Sequence, residues 1–487
     1  MLFNSFAFAL FFPLVTAGYF LLPHRWRWFW LLAASCYFYT YFIPIYFLIL
    51  ASTIVIDYFA GRLIEGSSGA QRKGWLIMSI VANVGVLAAF KYFNFINHNL
   101  EALAQLIGWN YPIKYLSIAL PVGLSFHTFQ AMSYTIEVYR GKQKAERHFG
   151  IYALYVMFYP QLVAGPIERP QNLLHQFHAR HYFDYDRVAS GLRLMAWGLF
   201  KKMVVADRLA RIVNLIYATP GQFSGPPLTI ATVFFAFQIF CDFSGYSDIA
   251  IGSARVMGFK LMTNFDRPYH AQSIAEFWRR WHISLSTWFR DYLYIPLGGN
   301  RVSPARWCAN MFVVFLVSGL WHGANWTYVI WGALHGGFLV FGAVTAKFRA
   351  RLAEGCGLRQ FPSAHTVLRV LATFTLVNLG WIFFRASSVH DAWLILTRLA
   401  TGWTDLGGVA GLRHLAIDLQ SPLPDIALCF AAILTVEGVH CLQQFRPEKL
   451  HITTWPWWLR WSTYYAVICS LLLLASSGTG QFIYFQF

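Results

Sequence analysis

The chain has 487 residues, of which 57% are hydrophobic, 18% are aromatic and only 12% are charged. In an ordinary soluble protein about a quarter of the residues are charged. This composition therefore excludes such a protein and predicts that membrane lipid surrounds most of the chain. The formal net charge is +17, but the Lys and Arg residues form short clusters between apolar runs, which argues against a nucleic-acid partner.

The N-terminal part of the chain contains five apolar runs, each long enough, or nearly so, to cross a bilayer as a helix. These runs cover residues 3–22, 28–43, 45–60, 75–96 and 113–136. Basic residues cluster in every second loop between them, as expected when Lys and Arg stay in the cytoplasm. The sequence therefore predicts alternating crossings of the membrane.

The middle of the chain alternates apolar segments with polar ones. Apolar segments are predicted at residues 151–163, 192–216 and 228–251, and the polar stretch 165–187 is predicted to be a cytoplasmic or interfacial excursion. Residues 255–306 are the least lipid-like stretch, because Lys and Arg residues stand among aromatic ones. Such a segment is expected to lie on, or dip into, the cytoplasmic face.

Two apolar runs, residues 307–320 and 326–345, are separated only by the sequence Trp-His-Gly-Ala-Asn at 321–325. Basic residues flank the pair on both sides, which predicts a hairpin with both ends in the cytoplasm. The first run rises only about 21 Å as a helix, which would leave His322 within the membrane or just short of its far side.

The remaining predicted spans cover residues 370–384, 426–440 and 463–474, separated by a polar outward excursion at 385–425 and a basic inward one at 446–460. The predicted fold class is all-α: a polytopic transmembrane helical bundle of about 11–12 spans with interfacial or re-entrant helices. Residues 1–487 are predicted to form a single membrane domain.

His322 is the leading candidate for a catalytic residue. An ionisable side chain at membrane depth is costly, so by default it lines a cavity or marks a pathway. A neutral imidazole there could accept a proton from a hydroxyl that attacks an acyl carbonyl, and Trp321 and Trp326 are bulky enough to exclude water. Alternatively, His322 only hydrogen-bonds a neighbouring helix, and the residues alone leave both hypotheses open.

His282 is the second candidate, at the end of Phe-Trp-Arg-Arg-Trp-His, although a basic aromatic stretch at a membrane interface needs no catalytic purpose. Arg279, Arg280 and Arg290 could bind the phosphates of an acyl carrier such as coenzyme A. They could equally bind anionic lipid headgroups. For each arginine considered by itself, binding to lipid is slightly favoured over binding to a carrier.

Three further patterns are interpreted mainly as structural features. Asp242 and Asp248 are predicted to cap a helix broken around Gly245, with the lining of a cavity as the alternative. The Leu-Gly-Gly-Asn sequence at 297–300 is predicted to be a turn, not a nucleotide-binding loop. No metal site is predicted, because neither the remaining histidines, among them His440, nor the seven scattered cysteines have the required spacing.

Six stretches together resemble the membrane-bound O-acyltransferases, and within that family the branch that O-acetylates alginate. They are Phe-Lys-Tyr-Phe-Asn-Phe at 90–95, Leu-Val-Ala-Gly-Pro-Ile at 162–167, Asp-Phe-Ser-Gly-Tyr-Ser-Asp at 242–248, the long block 276–301, Gly-Leu-Trp-His-Gly-Ala-Asn-Trp at 319–326 and Phe-Ile-Tyr-Phe-Gln-Phe at 482–487. The resemblance extends over nearly the whole chain, and the block 276–301 is its most specific part.

The resemblance implies helices around a central funnel or tunnel, with His322 matching the invariant histidine of the family and His282 its second histidine. It implies acetyl-coenzyme A as the donor substrate, no bound cofactor, and a periplasmic acetyltransferase partner protein that passes acetyl to a polysaccharide acceptor. It also implies a multi-pass protein of the bacterial cell inner membrane. Candidate donor-binding residues in the same stretches are Trp281, Arg279, Arg280, Arg290, Asp291, Trp321 and Asn325.

The sequence leaves several alternatives open. The acetylated polymer could be alginate, cellulose, another exopolysaccharide or peptidoglycan, and D-alanyl transfer to teichoic acid is a more distant possibility. A transporter or flippase would also place polar groups inside the membrane, although the sequence has no inverted repeat and few paired intramembrane charges. A scaffold that only recruits periplasmic enzymes would tolerate the loss of His322.

Overall fold

The structure is a computed structural model that describes residues 1–41, 44–117, 123–163, 165–446, 452–475 and 482–483. The residues in these ranges form helices and turns, with no strand among them. Six of the described helices are long and apolar enough to cross a membrane: Tyr46–Gly66, Gly69–Lys91, Gly225–Met257, Trp326–Val344, Pro362–Arg385 and Leu423–Phe445. These helices confirm the predicted all-α, polytopic class. A helix suits a segment that crosses lipid, because it satisfies its backbone hydrogen bonds internally.

Contacts along the chain separate it into two compact units, residues 1–196 with 246–263, and residues 197–245 with 264–487. The prediction of one domain over the whole chain stays a prediction, as does the count of about 11–12 spans. The predicted segments also include residues 42–43, 118–122 and 447–451, which lie outside the described ranges.

The first unit contains eight labelled helices, the last of which continues into the second unit. They are α1 Phe6–Leu21, α2 His24–Thr40, α3 Tyr46–Gly66, α4 Gly69–Lys91, α5 Phe93–Leu106, α6 Leu124–Tyr139, α7 Phe149–Met157 and α8 Tyr185–Leu199.

In two predicted apolar segments of the first unit, the helices that the structure describes are shorter than the segments. In the run 113–136, residues 113–117 are not helical and α6 begins at Leu124, after Gly123 in the left-handed conformation. The run 151–163 falls into α7 and the short helix Tyr159–Leu162. Phe158 is non-helical between these two helices, and Pro160 stands in the first turn of the second, where its missing N–H is not needed. Neither piece is long enough to cross a bilayer.

The second unit contains twelve more labelled helices, of which α10 is shared with the first unit. They are α9 Asp207–Ala218, α10 Gly225–Met257, α11 Ile274–Arg280, α12 Ile283–Phe289, α13 Pro304–His322, α14 Trp326–Val344, α15 Ala346–Gly355, α16 Pro362–Arg385, α17 Val389–Arg398, α18 Gly408–Asp418, α19 Leu423–Phe445 and α20 Trp457–Leu473. Two π-helical segments, Phe200–Ala206 and Arg290–Tyr294, follow α8 and α12.

The predicted break around Gly245 is wrong, because α10 runs through residues 242–248 without interruption. Gly245 instead allows close packing, since a Cβ atom there would lie 2.7 Å from the carbonyl oxygen of Gly198. A glycine in an apolar run can signal either a break or a close approach of two backbones, and only the packed neighbour distinguishes them. Asp242 and Asp248 therefore do not cap a helix end.

The predicted hairpin is confirmed as α13 and α14, which are joined by Gly323, Ala324 and Asn325. The two helices cross at small residues: a Cβ atom on Gly319 would lie 2.2 Å from the carbonyl oxygen of Tyr328. Such close approach is typical of membrane helix pairs. The predicted turn at 297–300 is also confirmed, with Gly298 and Gly299 at positive φ.

Candidate active site

His322 is the last residue of α13, and its side chain is buried in protein, with 4% of the residue exposed. The imidazole stands edge-on to the rings of Trp321, Trp331 and Phe384, whose centroids lie 4.9, 5.0 and 5.3 Å away. The ring is therefore surrounded by aromatic side chains of its own unit. Such a wall keeps water away from the ring, and an imidazole in its neutral form could accept a proton there.

The turn after His322 is specified by two local features. A Cβ atom on Gly323 would lie 2.1 Å from the ring of Tyr328, so only glycine fits there. Asn325 is the N-cap of α14, and its Oδ1 accepts a hydrogen bond from the backbone N–H of Thr327 at 2.9 Å. Asn325, predicted as a donor-binding residue, thus has a capping role in this structure.

His282 is fully buried between α11 and α12, and its backbone adopts a left-handed conformation with φ of +43°. This conformation is uncommon for residues other than glycine, and such strain often occurs at functional sites. Burial lowers the pKa of His282 to about 3, so the ring is neutral at physiological pH.

Asn264 determines which tautomer His282 adopts. The Oδ1 atom of Asn264 accepts from both the backbone N–H and the hydroxyl of Ser284, at 3.3 and 2.9 Å. It therefore acts as an acceptor toward Nδ1 of His282, 3.1 Å away, and this nitrogen must carry the proton. The lone pair of the neutral ring is then on Nε2, which can accept a hydrogen bond from a substrate group.

Trp321 contacts both candidate histidines. Its ring centroid is 4.9 Å from that of His322 and 6.4 Å from that of His282. The structure thus brings together, around one indole, two histidines that are 40 positions apart in the sequence. Trp281, next to His282, is also buried and packs against Trp381 at 5.1 Å, so it shapes the same aromatic cluster.

The predicted donor-binding arginines differ in their surroundings. Arg280 pairs with Glu276 at 2.7 Å, and Arg290 pairs with Asp291 at 2.8 Å. Arg279 is exposed and has no ion pair within the described ranges. A phosphate would have to compete with a carboxylate for Arg280 and Arg290 but not for Arg279, which makes Arg279 the most available of the three.

Sequence reasoning missed His335, a buried histidine on α14. Its Nδ1 accepts a hydrogen bond from the indole N–H of Trp278 at 3.2 Å, and its ring stands 5.0 Å from Trp331. The indole nitrogens of Trp331 and Trp381 and the Nε2 atom of His335 are buried without a hydrogen-bond partner among the described residues. The spacing of Trp331 and His335, four positions apart on one helix face, was the available signal.

A buried ion cluster next to the site was also missed. Lys202 lies between Asp207 and Asp242, with N–O distances of 2.7 and 2.8 Å. Asp242 also accepts a hydrogen bond from the backbone N–H of Ile483 at 2.8 Å. The neighbouring Phe243 packs edge-on against His282 with 4.6 Å between ring centroids, so this ion cluster supports the aromatic wall behind that histidine.

The C-terminal stretch of the resemblance is described only at Phe482 and Ile483, and residues 484–487 lie outside the described ranges. Phe482 contacts Phe243 at 5.7 Å between ring centroids. Together with the hydrogen bond from Ile483 to Asp242, this contact joins the end of the chain to α10 beside His282.

Comparison with known proteins identifies the family. The family model for the membrane-bound O-acyltransferases matches residues 148–355, which include both candidate histidines. The probable alginate O-acetylase AlgI of Pseudomonas aeruginosa is 41% identical over 397 residues, which cover 81% of this chain and 74% of the relative. The chain belongs to the membrane-bound O-acyltransferase family. It is therefore an acyltransferase and a multi-pass membrane protein.

Other relatives of this acyltransferase differ in the acceptor that their names state. The peptidoglycan O-acetyltransferase of Helicobacter pylori is 36% identical over 454 residues, covering 85% of this chain and 82% of the relative. The teichoic acid D-alanyltransferase of Streptococcus thermophilus is 29% identical over 295 residues, covering 56% and 69%. Membership in the family favours the acyltransferase hypothesis over the transporter and scaffold hypotheses. The roles of His322, His282 and the donor-binding residues stay predictions.

Proposed function

We propose that this acyltransferase takes acetyl from cytoplasmic acetyl-coenzyme A and delivers it, through a periplasmic partner protein, to hydroxyls of an exopolysaccharide of the alginate or cellulose type. The observation that carries the proposal is the pair of buried histidines whose rings both contact Trp321. The similarity to probable alginate O-acetylases supports this acceptor class. The acyltransferase would work in the bacterial inner membrane, where a funnel or tunnel between helices would join the two sides.

In this mechanism His322 is the general base. Its neutral ring accepts the proton of the acceptor hydroxyl while the hydroxyl oxygen attacks the thioester carbonyl. A C–O bond to the acetyl carbon forms, the C–S bond breaks, and the imidazolium returns the proton to the departing thiolate. The rings of Trp331 and Phe384 around His322 keep water from the thioester, which favours transfer over hydrolysis.

His282 positions the donor. With Nδ1–H bound to Asn264, Nε2 can only accept, so it suits an N–H or O–H group of the pantetheine arm of coenzyme A. Arg279, exposed on α11 three residues before His282, would bind a phosphate of the same donor. This division of roles predicts that loss of His282 or Arg279 raises KM for the donor, while loss of His322 lowers kcat.

The test uses the full-length acyltransferase in detergent or nanodiscs with labelled acetyl-coenzyme A, with and without the companion protein and polymer. His322→Ala and His322→Gln should lose about 10²–10⁴-fold of the transfer rate, the usual contribution of a general base. His390→Ala, which changes an exposed histidine of the same unit, is the matched control. Acetyl transfer by well-folded His322→Ala at the rate of the control would refute the assignment.

Peptidoglycan is the second candidate acceptor, because this chain is similar to the peptidoglycan O-acetyltransferase over 82% of the length of that relative. Supplying alginate, cellulose oligomers and peptidoglycan fragments separately in the same assay distinguishes these acceptors. Transfer only to peptidoglycan fragments would replace the exopolysaccharide proposal, and transfer of D-alanine from a carrier protein would replace the donor as well.

A further inference from the structure

Three side chains of the second unit converge at a place that the acyl-transfer mechanism does not use. The Nε2 atom of His270 lies 2.8 Å from one carboxylate oxygen of Glu437, and the Nδ1 atom of His440 lies 3.1 Å from the other. One potential ligand atom from each of the three residues lies within 4.8 Å of the others. The side-chain amide oxygen of Gln444 is 3.0 Å from Nδ1 of His270.

The backbone holds these residues in place from two directions. Glu437 and His440 are three positions apart on α19 and therefore lie on the same face of that helix. His270 ends the short 3₁₀ turn Pro268–His270, and the preceding Arg267 has a positive φ of +46°, which directs the turn. The prediction of no metal site considered spacing within single segments, whereas this cluster joins residues 167 positions apart.

Two imidazole nitrogens and one carboxylate are a ligand set that Zn²⁺ and similar divalent transition metals bind, with water or a fourth ligand completing a tetrahedron. Tetrahedral ligands about 2.0–2.1 Å from a metal are about 3.3 Å from one another. The observed separations of 2.8 and 3.1 Å, which run to the two different carboxylate oxygens, would have to widen by a fraction of an ångström, and the widest separation of the set, up to 4.8 Å, would have to narrow by about 1.5 Å. Rotamer adjustments of long side chains readily supply that change.

Access and surroundings also suit an ion. The side chains of His270, Glu437 and His440 are 15%, 23% and 8% exposed, so an ion and a bound water can enter from outside. The carboxylate offers the negative charge that a divalent cation needs, and the histidines can bind it once they are neutral. The contacts of both histidines with Glu437 keep all three side chains oriented toward one point.

We propose that His270, Glu437 and His440 bind one divalent transition metal ion of the Zn²⁺ class, with water as the fourth ligand, while the amide oxygen of Gln444 accepts a hydrogen bond from Nδ1 of His270 and orients its ring. The ion would fasten the turn Pro268–His270 to α19 and so have a structural role.

This fastening would reach the acyl-transfer site through aromatic contacts. Tyr269, beside the first ligand, packs 6.1 Å from Trp281. Phe240 packs 5.4 Å from the ring of His440 and 6.2 Å from Trp281. A loss of the ion would loosen the packing under Trp281, and thus the neighbouring His282, without removing any group that touches substrate.

The test measures metal binding directly, on full-length protein purified in detergent through a tag without histidines. After chelation and dialysis, the protein is titrated with Zn²⁺, and separately with Co²⁺, whose visible absorption reports tetrahedral nitrogen and oxygen ligands. Bound metal per chain is counted by mass spectrometry. We expect one ion per chain and a thermal midpoint that rises with added Zn²⁺.

His270→Ala, His440→Ala and Glu437→Gln should each abolish the bound ion and the rise in thermal midpoint. His270→Gln keeps a hydrogen-bond donor for Glu437 but is a poor metal ligand, so it should stay folded and still lose the ion. His390→Ala and His414→Ala, which change exposed histidines, are matched controls that should keep it. Wild-type protein that binds no more Zn²⁺ than well-folded His270→Gln would overturn the proposal.

Discussion

The imidazole of His322 stands edge-on to the indole of Trp331, with 5.0 Å between the ring centroids and 83° between the ring planes. The indole N–H of Trp331 is buried and has no hydrogen-bond partner in the described part of the chain. A buried donor without a partner is costly, so a group that completes it is expected in the working enzyme. A thioester carbonyl that becomes negatively charged during attack would suit this donor.

Trp331→Phe keeps an aromatic ring beside His322 but removes the N–H. If this N–H stabilises the developing oxyanion, kcat for acetyl transfer should fall by about 10²-fold, as for a single lost oxyanion donor, with KM for the donor little changed. The readout is steady-state transfer from labelled acetyl-coenzyme A. Trp326→Phe, at an exposed position, is the control. Equal kcat values for the two variants would exclude a role for the N–H.

Asn264 sets the tautomer of His282, and Asn264→Ala should therefore affect both folding and donor binding. Three hydrogen bonds converge on its Oδ1, so the free energy of unfolding should fall by about 1–3 kcal/mol through buried groups left unpaired. KM for acetyl-coenzyme A should rise more than kcat falls. Asn264→Asp, which retains the acceptor, should recover most of the donor affinity, and failure to do so would contradict the tautomer assignment.

The buried ion cluster predicts an asymmetric mutational response. Lys202→Met leaves two buried carboxylates, Asp207 and Asp242, without their cation, and should cost about 3–5 kcal/mol of stability. The triple variant Lys202→Met, Asp207→Asn, Asp242→Asn removes all three charges and should regain a large part of it. Thermal unfolding in detergent, followed by tryptophan fluorescence, measures both.

The exposed ion pair of Arg359 with Glu354 provides the control for this experiment. Arg359→Met should change stability by less than about 1 kcal/mol, because an exposed pair is screened by solvent. A triple variant no more stable than Lys202→Met would show that packing, rather than the uncompensated charge, dominates the loss.

The stability of the protein should fall in acid through His282. Burial lowers the pKa of this histidine to about 3 from an ordinary value of 6.5, so between those pH values the unfolded state binds a proton that the folded state does not. Stability therefore decreases as pH falls from 6.5 toward 3, by at most about 1.4 kcal/mol per pH unit from this group.

His282→Gln cannot bind that proton and should flatten the pH dependence of the thermal midpoint over this range. The exposed His390→Ala should leave the slope as in wild type. The same acid slope in His282→Gln and wild type would mean that His282 titrates normally in the folded protein.

Sequence reasoning succeeded where the determining interactions are local. The hairpin of α13 and α14 follows from two apolar runs that are separated by the Gly-containing sequence 321–325. His322 was selected as a candidate because it lies in this sequence. The turn at 297–300 follows from consecutive glycines. The family resemblance matched His282 to the second histidine of the family. The residues alone had favoured a non-catalytic role for this histidine.

The errors and omissions share one physical origin. Gly245 has the same local signature whether a helix breaks or another backbone approaches closely, and the carbonyl of Gly198 decides between these outcomes. Lys202 and Asp242 are 40 positions apart, and His270 and Glu437 are 167 positions apart. No periodicity within one segment can indicate such pairs.

Composition, hydropathy and the Gly-containing breaker by themselves determined a helical membrane protein with a histidine at the end of a hairpin, and the resemblance of its motifs to a known family supplied the acyltransferase type. Helix formation and membrane insertion depend on the free energy of transferring side chains and backbone from water into lipid. The contributions of successive residues to this free energy add up along each segment. Only the tertiary structure decided which side chains meet: the histidine pair around Trp321, the tautomer of His282, the ion cluster at Lys202 and the ligand set at Glu437. Contacts of this kind depend on distances of a few ångströms between residues far apart in the sequence.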